Sequence, residues 1–231
     1  DLATAEFIAL LGSDDEFERD AIDAWVGIAR ATHADVVIAP TLQDDRAPDP
    51  YPPARIGRTA TLDGDRDRLS YRSAPLGLVS RRRFPALRFA EGLASGEDLP
   101  VMVTLWFSGA RVRYAPGAPS YLIHTDGDDR VTLAPRPVDD DFAFLDHIEG
   151  NATWGSVTPR QRRALAIKIL RVHVFDGIAA RVGESSISDE DRRALIGVVD
   201  RVRGISPGVT ALLSRADQTA LRVSFDPRST A

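Results

Sequence analysis

Cysteine is absent from the 231 residues, which excludes disulfides, thiolate zinc sites and cysteine nucleophiles. No apolar run approaches the ~18 residues that a membrane-spanning helix needs. A basic excess is missing too. The 29 Lys and Arg against 34 Asp and Glu leave a net charge of −5, so a dedicated nucleic-acid binder is not expected. The N-terminal stretch Asp1-Leu2-Ala3-Thr4 has neither the basic nor the apolar region of a signal peptide, and none is expected. Lysine is nearly absent: of 29 basic residues only Lys168 is lysine, a skew of composition from which no function is read. What is present is a hydrophobic content of 43%, enough for a packed core and against wholesale disorder. The length fits one or two domains.

The run Phe7-Ile8-Ala9-Leu10-Leu11, stopped by Gly12-Ser13, reads as a buried strand. Phe17, Ile22, Trp25, Val26, Ile28 and Ala29 recur with helical spacing, and Ala34 to Ala39 reads as a second buried strand. Strand, helix, strand in that order predicts a parallel α/β unit. Residues 42–75, with Asp49-Pro50-Tyr51-Pro52-Pro53 at their centre, read as a long loop or irregular excursion. Short strands are expected at Leu76 to Val79, Arg111 to Tyr114 and Tyr121 to His124, with a helix over Glu97 to Phe107. Composition shifts after Thr132, and Pro135, Pro137 and Asp139-Asp140-Asp141 mark a border. Beyond it the signals are helical. Thr158-Pro159-Arg160-Gln161 combines an N-cap, a proline at the first helical position and a capping box, opening a helix to about Val182. Ser188-Asp189-Glu190-Asp191 opens another.

Two acidic clusters are candidates for chemistry. Ser13-Asp14-Asp15 follows a buried strand, where ligands collect in open parallel sheets, and paired carboxylates there suit a divalent cation. Gly96-Glu97-Asp98 opens a helix, where a carboxylate within reach of a substrate hydroxyl can act as a general base. Each cluster also matches a capping box (Ser13 to Glu16 and Ser95 to Asp98), and acids in a first turn suit the helix dipole. Taken alone, either is more often a cap.

In combination, these stretches resemble the family 2 glycosyltransferases of the GT-A fold. That family carries an acidic motif of the form Asp-x-Asp-Asp after a buried strand, matched by Phe7 to Asp15. An Ala-Asp-Val-Val strand follows one helix later, as Ala34 to Val37 does. Arg88-Phe89-Ala90-Glu91-Gly92 resembles the family's Arg-Phe-x-Glu-Gly, which leads to the Glu-Asp pair, here Glu97-Asp98. A helix ending in glycine and a strand such as Arg111 to Tyr114 follow. The match runs from about residue 3 to residue 132.

The resemblance implies a GT-A-like, mostly parallel sheet over residues 1–134, incomplete at its N-terminus, followed by a helical C-terminal region over 135–231. Asp14 and Asp15 would bind the diphosphate of a nucleotide-sugar donor through Mg²⁺ or Mn²⁺, with Glu97 also on the donor side. His124 would be a further metal ligand, against its reading as a hydrogen-bonded histidine near a strand end. Asp98 would be the base in an inverting transfer to a hydroxyl of a cell-surface glycan or a polyol-phosphate, teichoic-acid-like acceptor. Such an enzyme is expected in the cytoplasm, at the inner face of the membrane, with peripheral membrane association and self-association as open questions. Gly12 stands where many relatives have the motif's first aspartate. The family's nucleoside-binding part is expected upstream of Asp1, so the isolated chain is expected to bind donor weakly or not at all and to be inactive by itself. The Gln-x-x-Arg-Trp motif of processive synthases is absent, which favours a non-processive transferase.

Two other classes stand beside this one. A non-catalytic binding or scaffold module could keep the fold. A sugar-nucleotide-forming nucleotidyltransferase would need a glycine-rich, Arg- or Lys-bearing phosphate loop, and none is found. Arg81-Arg82-Arg83 could meet phosphates or anionic lipid but reads first as a solvated run. Trp25 and Trp106 read as core, Trp154 as either core or surface, and the C-terminal helices as packing on the α/β part or offering a docking surface.

Overall fold

The computed structural model describes residues 3–43, 55, 57–74, 76–124, 136–182 and 187–226. The proline-rich centre at 49–53 and the border at 134/135 lie outside the described residues.

Among the described residues seven short strands form two sheets. The first has the order β1-β5-β3-β6 and uses β1 (Phe7–Ile8), β3 (Val36–Ile38), β5 (Gly77–Ser80) and β6 (Val112–Tyr114). The second has the order β2-β7-β4, from β2 (Glu16–Phe17), β4 (Thr41–Gln43) and β7 (Tyr121–Ile123). The pairings β1–β5, β5–β3 and β2–β7 are antiparallel, whereas β3–β6 and β4–β7 are parallel. This corrects the expectation of a mostly parallel sheet: the sheets are mixed.

The physical reason lies in β5. The described part of the excursion between β4 and β5 holds a 3-10 turn at Leu69–Tyr71, and β5 enters the sheet antiparallel to both of its neighbours. It inserts between β1 and β3, pairing Phe7 with Ser80 and Val36 with Val79. The strand–helix–strand reading survives in direction only. β1 and β3 are both antiparallel to β5 and therefore run the same way, but they are not neighbours. The first strand is also shorter than expected. It leaves the sheet after Ile8, and Leu11 is 53% exposed.

Strand alternation divides the interior. Val36 and Ile38 point into a core shared with the helices, whereas Val37 between them joins Trp25, Ala29 and Leu78 on the opposite face. Helix α1 (Ala21–Thr32) covers that second face with Ala21, Trp25 and Ala29, at four-residue spacing, all buried. Its C-cap, His33, sits in the left-handed region at φ 52°, as expected of a residue ending a helix.

Helix α2 (Asp98–Phe107) is apolar nearly all round. Every residue from Leu99 to Val103, and Leu105 to Phe107, is buried, as befits a helix enclosed between layers. Trp106 is core, its indole N–H donating to the Arg72 carbonyl at 2.9 Å. The helical region packs on this core through α3 (Val138–Phe142), α4 (Phe144–Glu149), α5 (Pro159–Lys168), α6 (Phe175–Val182), α7 (Asp189–Ile205) and α8 (Arg215–Phe225). The α5 start is the expected capping box. Thr158 Oγ1 accepts from the Gln161 N–H at 3.3 Å, and Gln161 Oε1 accepts from the Thr158 N–H at 2.9 Å. Ser188 caps α7 through the Asp191 N–H at 3.0 Å. Between α5 and α6 the chain stays helical, but residues Ile169–Val174 form a π-helical segment.

Candidate functional site

The loop from Ala9 to Asp15 carries the chain from β1 in one sheet to β2 in the other. Its acids are therefore held at the junction of the sheets. Buried Tyr121 on β7 fixes this loop. Its hydroxyl accepts the Gly12 N–H at 2.9 Å and donates to Asp15 Oδ2 at 2.6 Å. The other Asp15 oxygen, Oδ1, accepts the backbone N–H of His124 at 3.2 Å. Burial and the Asp15 carboxylate together push the Tyr121 phenol well above its ordinary range, so it stays a donor. Beneath it, the Phe17 ring meets Tyr121 and Trp25 edge-on at 5.5 and 5.2 Å. The Trp25 indole donates to the Pro119 carbonyl at 2.9 Å.

Gly12 faces both carboxylates. A Cβ placed there would come within 2.5 Å of Asp15 Oδ2 and 3.2 Å of Asp14 Oδ1. The two acids therefore lie together against Gly12, and a side chain at position 12 would displace the Asp15 carboxylate. Asp14 is exposed at the mouth of this loop and Asp15 is half-buried. The His124 imidazole lies 4.0 Å from Glu16 Oε1, so it is His124's backbone that engages Asp15. Among the described residues no group of three or more His, Asp or Glu has the geometry of a metal cage. Two convergent hard-oxygen donors suit a divalent cation that takes its remaining ligands from water and a ligand's phosphates, as Mg²⁺ does.

The capping alternative fails at the first cluster, whereas at the second the acids do stand at a helix start and Asp98 is a first-turn acid. Ser13 to Glu16 opens no helix: Glu16–Phe17 is a strand, and α1 starts at Ala21 with Asp20 as N-cap and no side-chain cap bond. At α2 the N-cap is Glu97, again without a side-chain cap bond, and Asp98 is the first helical residue. Glu97 is exposed and Asp98 half-buried. Burial raises the Asp98 carboxyl above the ordinary range. The Lys168 ammonium pulls it back down, while the neighbouring Glu97 adds to the rise.

Lys168 is the residue that sequence reasoning missed. It is 1% exposed, at the C-terminal end of α5. Its ammonium donates to Ser73 Oγ at 2.8 Å and lies 2.6 Å from His173 Nε2. Burial pulls it down to about 8, against the attraction of Asp98 and Asp176. Burial and the adjacent Lys168 hold His173 down to about 3, so its ring is neutral and accepts from the ammonium. The signal was available in the composition: a single lysine in a chain that otherwise uses arginine. His173 carried no signal, because helical periodicity separates it from position 168.

Among the described residues no hydrogen bond or ion pair joins the Asp14–Asp15 loop to Glu97 or Asp98. The structure brings Asp14, Asp15 and the His124 backbone together around Tyr121. Trp154 packs at the core's edge with the Arg162 guanidinium 4.5 Å above its ring. In the Arg81 to Arg83 run, Arg81 donates to the carbonyls of Ala5 and Thr4, both at 2.8 Å, and Arg83 to that of Ser108 at 3.0 Å. No described helix is long and apolar enough to cross a membrane.

No protein-family model matches the chain, and no curated protein sequence matches it. The fold is nevertheless shared with solved structures of TarS of S. aureus. The TarS 1–349 structure in complex with UDP-GlcNAc aligns with a TM-score of 0.70 at 16% identity, covering 96% of this chain and 67% of that one. The same TarS form in complex with UDP gives 0.66 at 16% identity, covering 96% and 66%. A further TarS crystal structure gives 0.65 at 16% identity, covering 96% of this chain and 38% of that one. At this identity the likeness is one of fold. The chain spans about two thirds of the 1–349 form and 38% of the longer TarS chain.

Proposed function

We propose that this protein is a metal-dependent, inverting glycosyltransferase that moves a sugar from a nucleotide donor to a hydroxyl of a glycan or polyol-phosphate acceptor. The observation that carries the reading is that Ser13 to Glu16 opens no helix, which leaves the Asp14–Asp15 pair without a capping role. Asp14 and Asp15 lie together against Gly12, with Asp15 tied down by Tyr121 and His124. The fold shared with TarS, whose structures include complexes with UDP-GlcNAc and UDP, supports a nucleotide sugar as donor.

Asp14 and Asp15 would hold Mg²⁺ or Mn²⁺, which when bound supplies charge stabilisation for the leaving diphosphate. Glu97 would make a further contact to the donor, and His124 would be a further ligand of the cation. Asp98 takes the proton of the acceptor hydroxyl as that oxygen forms its bond to the anomeric carbon. The bond from that carbon to the diphosphate oxygen breaks, and the nucleoside diphosphate leaves with the bonding pair. Attack opposite the leaving group inverts the centre. The raised Asp98 carboxyl suits this role, since a base works best with its pKa moved toward the working pH.

The test is transfer from UDP-GlcNAc to a polyol-phosphate or glycan acceptor by the longest natural form of the protein, with and without Mn²⁺ and with Asp98→Asn. Transfer that needs the cation and collapses in the variant is expected. Full transfer in excess chelator would remove the metal from the mechanism.

A further inference from the structure

We propose that the cavity between the arginine run after β5, helix α2 and the loop after α4 is a binding site for a phosphate or phosphodiester group, apart from both acidic pairs. The proposal rests on the function given above in one respect: the phosphate is taken to be one carried by the acceptor chain.

The site begins where β5 stops. The Ser80 carbonyl accepts the Phe84 N–H at 3.1 Å and its hydroxyl accepts the Arg83 N–H at 3.3 Å, which turns the chain. Phe84 is buried and pins the segment to the core, while Arg83 and Arg88 stay exposed. The Arg83 guanidinium lies 5.3 Å from the Phe84 ring centroid and donates to the Ser108 carbonyl, just past the end of α2, at 3.0 Å. Arg88 Nη1 donates to the carbonyls of Leu87 and Pro85 at 2.8 and 3.3 Å. Backbone carbonyls thus hold both side chains in place.

The opposite wall is fixed as well. Asn151 Nδ2 donates to the Pro100 carbonyl and to Thr104 Oγ1, both at 3.0 Å, and Asn151 Oδ1 accepts the Thr153 N–H at 2.8 Å. Pro100, Thr104 and Ser108, at four-residue spacing, present one face of α2 to the cavity. Its volume is about 380 Å³, a size that takes a phosphate together with part of the chain bearing it. Two arginines line it, and among the described residues no Asp or Glu does. In a chain of net charge −5 it is a cavity of one sign. Arg83 makes no ion pair among the described residues, and the exposed Arg82 beside it makes neither an ion pair nor a hydrogen bond there.

Guanidinium forks match phosphate oxygens with paired donors. A cation would need charged oxygen ligands, and none lines this cavity. A lipid surface would be met by about four to eight basic residues clustered together. Here Arg81 is turned to the Thr4 and Ala5 carbonyls, and the two lining arginines flank a recess that admits one group at a time. The recess is separate from the proposed base, since Asp98 lies about 200° round the helix axis from Pro100. Thr104 is about 9 Å further along that axis than Asp98. A chain with one hydroxyl at Asp98 reaches the recess by running on round the start of α2, which suits a polymer with repeating phosphates and not a single sugar.

The test is calorimetric titration of the full chain in excess chelator, so that no cation at the acidic loop can bridge to a phosphate. The probes are a polyol-phosphate oligomer, a neutral polyol, inorganic phosphate and phosphatidylglycerol vesicles. The oligomer should bind and be displaced by inorganic phosphate, and the neutral polyol should not bind. Combining Arg83→Gln with Arg88→Gln should weaken the oligomer by at least about tenfold, since each removes bonds to a charged group. Absence of oligomer binding in the parent, or equal binding in the double variant, overturns the proposal. Binding to vesicles without binding to the oligomer also overturns it. If the double variant does not fold, Ala152→Glu decides, because it sets a carboxylate at an exposed position of the lining and should weaken the oligomer as much. In transfer by the longest natural form, either change should raise the acceptor KM and leave the donor KM in place; an unchanged acceptor KM overturns the assignment to the acceptor. If the oligomer binds through the arginines but receives no sugar, the proposed function fails and the anion site stands.

Discussion

The Tyr121 hydroxyl stands between Gly12 and Asp15, accepting the backbone N–H of one at 2.9 Å and donating to the carboxylate of the other at 2.6 Å. A buried side chain of the second sheet thus sets the position of an acidic loop that leaves the first. Removing that one oxygen in Tyr121→Phe leaves Gly12 without its partner and Asp15 with only the His124 N–H. A hydrogen bond to a charged group contributes about 1.5–3 kcal/mol, so denaturant unfolding should show a loss of that order. Mn²⁺ affinity in the presence of UDP should fall with it. A variant matching the parent in both measurements would show that Tyr121 does not hold the loop.

Gly12→Ala tests the loop from the other side. The new methyl would sit 2.5 Å from Asp15 Oδ2, so the carboxylate must swing away from Tyr121. Isothermal titration with Mn²⁺ and UDP should show binding weakened by at least about tenfold, a loss of roughly 1.4 kcal/mol. Retained affinity would place the cation elsewhere.

Asp14 is exposed, and Asp14→Ala should leave stability within about 0.5 kcal/mol of the parent. Transfer should nonetheless be lost and not restored by added Mn²⁺. A fully active Asp14→Ala enzyme would reduce the metal site to Asp15 alone, too little for a cation.

Asp98→Asn keeps the shape of the side chain but cannot accept a proton. General bases contribute about 10²–10⁴-fold, so the transfer rate should fall by at least that lower bound, with donor affinity little changed. Glu97→Gln, on the exposed neighbour, is the milder control. A stable Asp98→Asn protein with near-native transfer would remove Asp98 from the mechanism.

Acid should destabilise the fold through His173. Its folded pKa is held down to about 3, against 6.5 in the unfolded chain. Between those values the unfolded chain binds a proton that the folded one refuses, so stability rises with pH across the window and falls as acid is added. Lys168, pulled down to about 8 from 10.5, has the same sign at alkaline pH. The raised carboxyls of Asp98 and Asp176 have the opposite sign, so the readout is a difference. Unfolding free energy between pH 6.5 and 4 should fall more steeply in the parent than in His173→Gln. Equal slopes would mean that the histidine is not refused its proton.

Local rules that depend on neighbours along the chain determined much of this protein in advance. The Thr158 capping box, the Ser188 cap, the apolar α2 and the buried faces of α1 follow from hydrogen-bonding groups and spacings within a few residues. The acidic pairs were legible as candidates for the same reason. Whether they were caps was not legible, because a capping box differs from an open acidic loop only in what the chain does next, and after Ser13 it enters a strand that pairs with Tyr121 and Leu122, more than 100 residues on. The sheet was misjudged because β5 inserts between β1 and β3, a choice made by long-range pairing and invisible to periodicity. Lys168 and His173 meet only because the helix between them is π-wound, and a 3.6-residue repeat puts them on different faces. Tertiary structure decided these points because each depends on a contact between segments that no local propensity brings together.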